Sequence, residues 1–452
     1  MKRKFAFILA IMLVLAFFLA ACGNGGGRDG GQDGAAGNGA GEPITLSYWV
    51  HDNPAFIDIA ERFAESYSAA NENITIIVES FPDFWTKVYA SLATGTAGDI
   101  VEMYGSTLRF AKGGVLVPVP ESVMTVAEIE ATFYPGSLEN RLFEGRYYGL
   151  PSEMNIESPG LLVNTALLRA QDMEIPDSWR ENDGPASWAE LMDFAHQLTI
   201  FNNGVMTQAG LGIVGGEEIS MMLSLIWQLG GEFRDPDNMR VNFSTPEAHQ
   251  AAQFVMDLIT GDDAVHSALF SPRREGFMEG TVAMTIGAPW AAAVIDHDFP
   301  GFEYEYFNLP PFIPGSNPYF LAEGGWGCWV PTTTVDAEAA WAFVTYMLTE
   351  ENQLEYAVAV GCLPANMALS NHEFFTTGEG RYVIGRAIKM ADYGRDPGSF
   401  TIDPSTFIWS IARSNFDAIV NGVVTIDEGL ALIERETNEM IARLQEGELF
   451  DD

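Results

Sequence analysis

Aromatic and short polar side chains recur together at the ends of the segments that read as β-strands. Trp49, His51 and Asp52 stand at the end of ITLSYWV (44–50); Glu79 and Phe81, with Trp85 close behind, end NITIIVES (73–80); Tyr104 and Ser106 end the run that starts at Ile100. Farther along, VAMTIGAPWAA carries Trp290, and GGWG carries Trp326 with Glu323 just before it. Aromatic rings cover the flat C–H face of a sugar ring, while carboxylates, amides and imidazole meet its rim of hydroxyls, which both donate and accept. Each position also has a plainer reading. Asp52 can cap a helix, His51 can be an exposed strand end, and Trp290 and Trp326 can pack into a core. For Trp179, Trp188, Trp227 and Trp341 the local pattern favours core packing, since each lies in or beside an apolar helical run.

Strands and helices must alternate to bring such positions together. After the strand 44–50, Asn53-Pro54 supplies a cap with proline at the first helical position. Phe56, Ile59, Ala60, Phe63 and Tyr67 then recur at helical spacing. The run 73–80 reads as a second strand, 84–93 as a helix, and 100–104 as a third strand. That order predicts a parallel sheet flanked by helices. Capping boxes are expected at Thr125/Glu128, Ser187/Glu190 and Thr425/Glu428, and Thr245-Pro246 opens a further helix.

Catalytic and metal chemistry find little local support. The chain has no GxSxG elbow, no phosphate-binding loop and no GxGxxG after a strand. Paired carboxylates could hydrolyse a glycoside, yet no pair among the 62 Asp and Glu residues is singled out by spacing. The six histidines show no HExxH or other paired ligand spacing, so neither a metal nor any other cofactor is expected. Cys328 and Cys362 lack a CxxC neighbourhood, and pairing them would need a proximity that sequence does not give.

The first 22 residues read as an address. Lys2, Arg3 and Lys4 precede an apolar run from Phe5 to Ala21, closed by Leu-Ala-Ala-Cys. This is a secretory pattern, and its end resembles a bacterial lipoprotein signal, in which Cys22 would become the lipid-bearing N-terminus. The alternative is an uncleaved anchor, for which the run is short. Residues 23–41 contain ten glycines among nineteen positions and no large apolar side chain, a flexible tether with a reach of roughly 25 Å.

Composition bounds the remaining choices. At 452 residues the chain is long for one core, and with 47% hydrophobic and 12% aromatic residues it is not disordered. Against 62 acids stand 23 Lys and Arg, a net charge of −39. Nucleic acid is a poor partner for that field, because phosphate binding is driven by release of counterions from basic side chains.

The order of stretches after the tether resembles the extracellular solute-binding proteins of ABC importers, the large family with maltodextrin-binding and other sugar-binding members. The stretches are ITLSYWV, ATGTAGDIVEMY, GRYYGLPSEMNIESPGLLVNTALL, SWAELMDFAHQL, GFMEGTVAMTIGAPWAA, GGWGCWVPTTT and AAWAFVTYMLTEENQLEYAVAVGCLPAN. One departure is Val163-Asn164-Thr165, where the family usually has a Tyr-Asn-Lys-like triplet. The resemblance implies a two-lobed α/β fold, each lobe a sheet flanked by helices, with the ligand in a cleft at the hinge. It places an N-terminal lobe at 43–151 and 327–365 and a C-terminal lobe at 152–326 and 366–452, behind a signal (1–22) and a tether (23–42). It puts Glu153 and Asn155 at the first hinge crossing and makes FIWSIARSNFDAIVNG the helix that supplies a stacking residue, Trp409. The ligand-binding set is then Trp49, His51, Asp52, Phe81, Tyr104, Glu153, Asn155, Trp290, Trp326 and Trp409. The implied function is that of a monomeric, lipid-anchored extracytoplasmic receptor, not an enzyme, that gives a neutral oligosaccharide to an ABC permease and its ATPase. The alternatives are a polyamine- or peptide-binding receptor of the same fold, or a secreted glycoside hydrolase.

Overall fold

The computed structural model describes residues 42–447 apart from 106–107, 157–158, 214–216, 263, 268–269, 271–273 and 402. The signal and tether, with Cys22, lie outside the described residues. Strand β1 (Ile44–Val50), helix α1 (Pro54–Ala70), strand β2 (Ile74–Ser80), helix α2 (Phe84–Thr94) and strand β3 (Ile100–Tyr104) follow the expected order within a residue or two. A short helix, α3 (Leu108–Lys112), comes next. Asn53 caps α1 by accepting the Ala55 N–H, with Pro54 at the first position. The cap is therefore Asn53, and Asp52 remains outside the helix.

β2, β1 and β3 pair in parallel, but strand Trp326–Pro331 joins β3 antiparallel and Leu116–Val117 completes the order. The first sheet is thus mixed, because a segment more than 200 residues away in sequence supplies its fourth strand. Alternation along β1 sends Leu46, Tyr48 and Val50 into one core with Phe56, Ile59 and Phe63 of α1. The opposite face carries Trp49, which packs with Phe84, Val88 and Leu92 of α2 and with Trp329. The Asp99 carboxylate pins the end of this sheet, accepting from Ser47 N and Oγ at 2.8 and 2.9 Å and from Val335 N at 2.8 Å.

A second five-stranded sheet has the order 200–202, 205–212, 282–286, 160–164, 304–308. Its core collects Trp179, Trp188, Trp227, Phe233, Phe243 and Phe407. The chain passes from Leu150–Pro151, paired in the first sheet, to Gly160–Asn164 in the second. Between them, Glu153–Met154 pairs with Leu363–Pro364 as a separate two-stranded link. Two capping boxes are complete, at Thr125/Glu128 and Thr425/Glu428. At Ser187 only half of the box forms: the Ser187 side chain accepts from Glu190 N, while the Glu190 carboxylate turns to Trp179 Nε1 and Ala186 N, both at 2.7 Å. A buried indole N–H needs a partner, and Trp179 takes the carboxylate that the cap would have used. Cys328 and Cys362 are both buried and unpaired.

Candidate functional site

A group of rings gathers where the ends of β1 and β3 meet the start of strand Trp326–Pro331. Trp326 stacks on Trp85 with centroids 5.4 Å apart and planes 27° apart. Trp85 in turn stacks on Tyr89 at 5.9 Å, and Tyr89 on Phe110 at 5.6 Å. His51, Phe56 and Tyr104 approach the Trp326 ring at 4.8, 5.2 and 5.6 Å. Offset or edge contacts of this kind suit the ring quadrupoles and hold the rings firmly.

A carboxylate joins this cluster to the C-terminal helices. Glu323 accepts the Tyr104 hydroxyl at 3.1 Å, and its two oxygens accept Trp409 Nε1–H at 2.9 and 3.1 Å. Asn155 Nδ2 donates to the Tyr104 oxygen, so the chain Asn155, Tyr104, Glu323, Trp409 runs unbroken. Trp409 lies in the π-helical turn Phe407–Ala412. The wider turn interrupts the ordinary helical register, a feature concentrated at functional sites. Beside it, Arg109 of α3 pairs with Asp403 at 3.0 Å, and its guanidinium lies 5.3 Å from the Tyr89 ring. Lys112 donates to the Leu444 carbonyl, so α3 is tied to the C-terminal segment at two points.

Asn155, Tyr104, Trp326, Trp409 and His51 thus come together in one region. The His51 Nδ1 accepts the Asn53 N–H at 3.2 Å, leaving Nε2 to face Asp52 at 3.4 Å. Burial lowers the His51 pKa, partly offset by the neighbouring Asp52 carboxylate. Trp49, Phe81, Glu153 and Trp290 take other places in the fold. Trp49 is only 5% exposed, its Nε1–H donates to Glu79 at 2.8 Å, and Phe81 packs on its edge at 4.9 Å. Trp49 supports the cluster from beneath, since alternation along β1 turns it toward α2. Glu153 is buried and accepts the Trp326 backbone N–H at 3.0 Å, a strut within the link between sheets. Trp290 is half-buried at the second position of helix Pro289–Asp298, directly after strand Val282–Ile286.

No sequence pattern singles out Tyr89 or Arg109. Arg109 and Asp403 are 294 positions apart, and no local pattern links them. Asp403-Pro404 does carry a signal, since Asp403 caps the following turn by accepting from Thr406 N at 3.1 Å. Behind the cluster, burial raises the Glu102 pKa to about 8; its carboxyl accepts His51 N–H at 3.2 Å and the Tyr356 hydroxyl at 3.3 Å. Among the described residues, no group of three or more His, Cys, Asp or Glu side chains could hold a metal ion.

A family model described as bacterial extracellular solute-binding protein matches residues 61–381. The chain belongs to this family. Among curated relatives of this solute-binding protein, the maltotriose-binding protein of Pyrococcus abyssi is 20% identical over 347 residues, 76% of this chain and 71% of the relative. Among solved structures, an ABC substrate-binding protein from Listeria monocytogenes in complex with cycloalternan superposes with a TM-score of 0.71 at 18% identity, covering 89% of this chain and all of the other (100%). A cyclic α-maltosyl-1,6-maltose binding protein from Arthrobacter globiformis gives 0.71 at 19% identity, over 88% and 99% of the two chains. These likenesses establish the two-lobed α/β fold, with a sheet in each lobe.

Proposed function

We propose that the chain is a lipid-anchored, extracytoplasmic receptor that captures a neutral oligosaccharide between its lobes as a monomer and gives it to an ABC permease. The N-terminal lobe would comprise 43–151 and 327–365, and the C-terminal lobe 152–326 and 366–452. The reading rests chiefly on the half-buried rings of Trp85, Tyr104, Trp326 and Trp409, gathered around a buried Glu323 carboxylate that Tyr104 and Trp409 hold by hydrogen bonds. Accessible ring faces of this kind match the apolar face of a sugar ring. Arg109 is already paired with Asp403, which weakens its pull on an anionic ligand. The relatives named for maltotriose, cycloalternan and a cyclic maltosyl-maltose point to the same ligand class. A ligand that bridges the lobes stabilises closure by its differential affinity for the closed state.

Equilibrium dialysis against maltotriose, followed by chromatography of the retained sugar, tests binding and catalysis together. Retention with recovery of intact maltotriose is the expected outcome. Shorter saccharides in the eluate would make the protein a hydrolase, and a full series of neutral oligosaccharides with no retention would remove the sugar reading.

A further inference from the structure

Arg141 is fully buried at the end of the turn Glu139–Arg141, and its hydrogen bonds go to carbonyls and one side-chain amide, with the Glu153 carboxylate close enough to favour its charge. Nη1 donates to Ser137 O, to Asn140 Oδ1 at 2.9 Å and to Gly324 O at 3.0 Å; Nη2 donates to Gly325 O at 2.9 Å and Trp326 O at 3.3 Å. The neighbouring Asn140 Nδ2 donates to Glu323 O. Four successive carbonyls, from Glu323 to Trp326, are therefore held by two adjacent side chains.

The held segment has an unusual backbone. Gly324 and Gly325 both lie at positive φ, +80° and +68°, and a Cβ would meet Asn140 Nδ2 at 2.2 Å in the first and Glu153 Cγ at 2.6 Å in the second. Two consecutive left-handed residues make a corner that only glycine adopts without strain. Glu323 leaves that corner on one side and Trp326 on the other. Burying a guanidinium among carbonyls is costly, and burial does push its pKa down to about 9. A purely structural corner could be closed by uncharged donors, whereas the planar fork reaches several carbonyls at once in fixed geometry.

We infer that Arg141 is a positioning residue for the ligand cleft, setting Trp326 and Glu323 through the 323–326 backbone. The ligand part of this inference rests on the sugar-binding reading; the positioning part does not. Near-ultraviolet circular dichroism separates them. The native spectrum minus that of Trp326→Phe isolates the signal of the Trp326 ring, which is coupled to Trp85 by their stacking. In an Arg141→Lys background the Trp326→Phe difference should fall by more than half while cooperative thermal unfolding persists. A difference signal of native size in folded Arg141→Lys protein would overturn the inference. If Arg141→Lys does not fold, Asn140→Ala carries the same comparison, with the same two outcomes. Calorimetric titration adds a cycle: Arg141→Lys should weaken oligosaccharide binding roughly tenfold, about 1.4 kcal/mol, and far less in a Trp326→Ala background. Equal losses in both backgrounds would contradict the positioning role. A native protein that binds no saccharide would refute the sugar reading and leave the spectral test of Arg141 in force.

Discussion

Trp290 stands at the mouth of a strand of the second sheet, half-buried on the first turn of helix Pro289–Asp298. If its ring covers a sugar face, Trp290→Ala should cost at least about 2 kcal/mol of oligosaccharide binding, the lower range for a buried aromatic anchor. Calorimetric titration checks this, and unchanged affinity would mean that the indole only packs. Trp49 marks the limit of reading single residues from a strand end. Its type and place suggested the cleft, but the pleat faces it toward Val88 and Trp329, a direction that depends on which face α2 covers. Only the family resemblance of FIWSIARSNFDAIVNG marks Trp409 for stacking, and the decisive fact about it, the bond to Glu323, joins residues 86 positions apart. Arg109 and Asp403 were invisible for the same reason. Side chains that meet through tertiary contact leave no local spacing to read.

At the scale of elements, strand β3 carries a testable pH dependence. Glu102 on β3 faces the His51 N–H and the Tyr356 hydroxyl, with Glu153 adding repulsion, and burial lifts its pKa from 4.5 to about 8. Between those values the folded protein holds a proton that the unfolded chain has released. Stability therefore falls as pH rises through this window and is fully present below it. Glu102→Gln removes the cost, so the variant should gain on the native protein, by on the order of 1–3 kcal/mol, between about pH 5 and about pH 9. Thermal unfolding of both across that range checks it, and parallel curves would contradict a buried acid at Glu102. The first strands and helices were legible because periodicity and caps such as Asn53-Pro54 are local. Antiparallel insertion of Trp326–Pro331 into the first sheet was not, because strand direction is decided by distant chain. The half-formed box at Ser187 failed for an equally physical cause, the competing indole of Trp179.

For the whole molecule, the net charge of −39 acts on ligand class more than on fold. Loss of Lys2, Arg3 and Lys4 with a signal would deepen it to −42, since −39 minus three positive charges and no acid is −42. Cys22→Ser should then shift the protein from the membrane fraction to the soluble extracytoplasmic fraction; retention in the membrane would favour an uncleaved anchor. The acidic field disfavours phosphorylated and uronic sugars at long range, more so where Arg109 is already paired. Thermal unfolding against neutral oligosaccharides, anionic sugars, polyamines and peptides compares all ligand classes in one measurement. A bound neutral oligosaccharide at a hundred times its dissociation constant should add about 2.7 kcal/mol of stability, with anionic sugars giving the least. Stabilisation by polyamines or peptides alone, with every neutral oligosaccharide inert, would contradict the account.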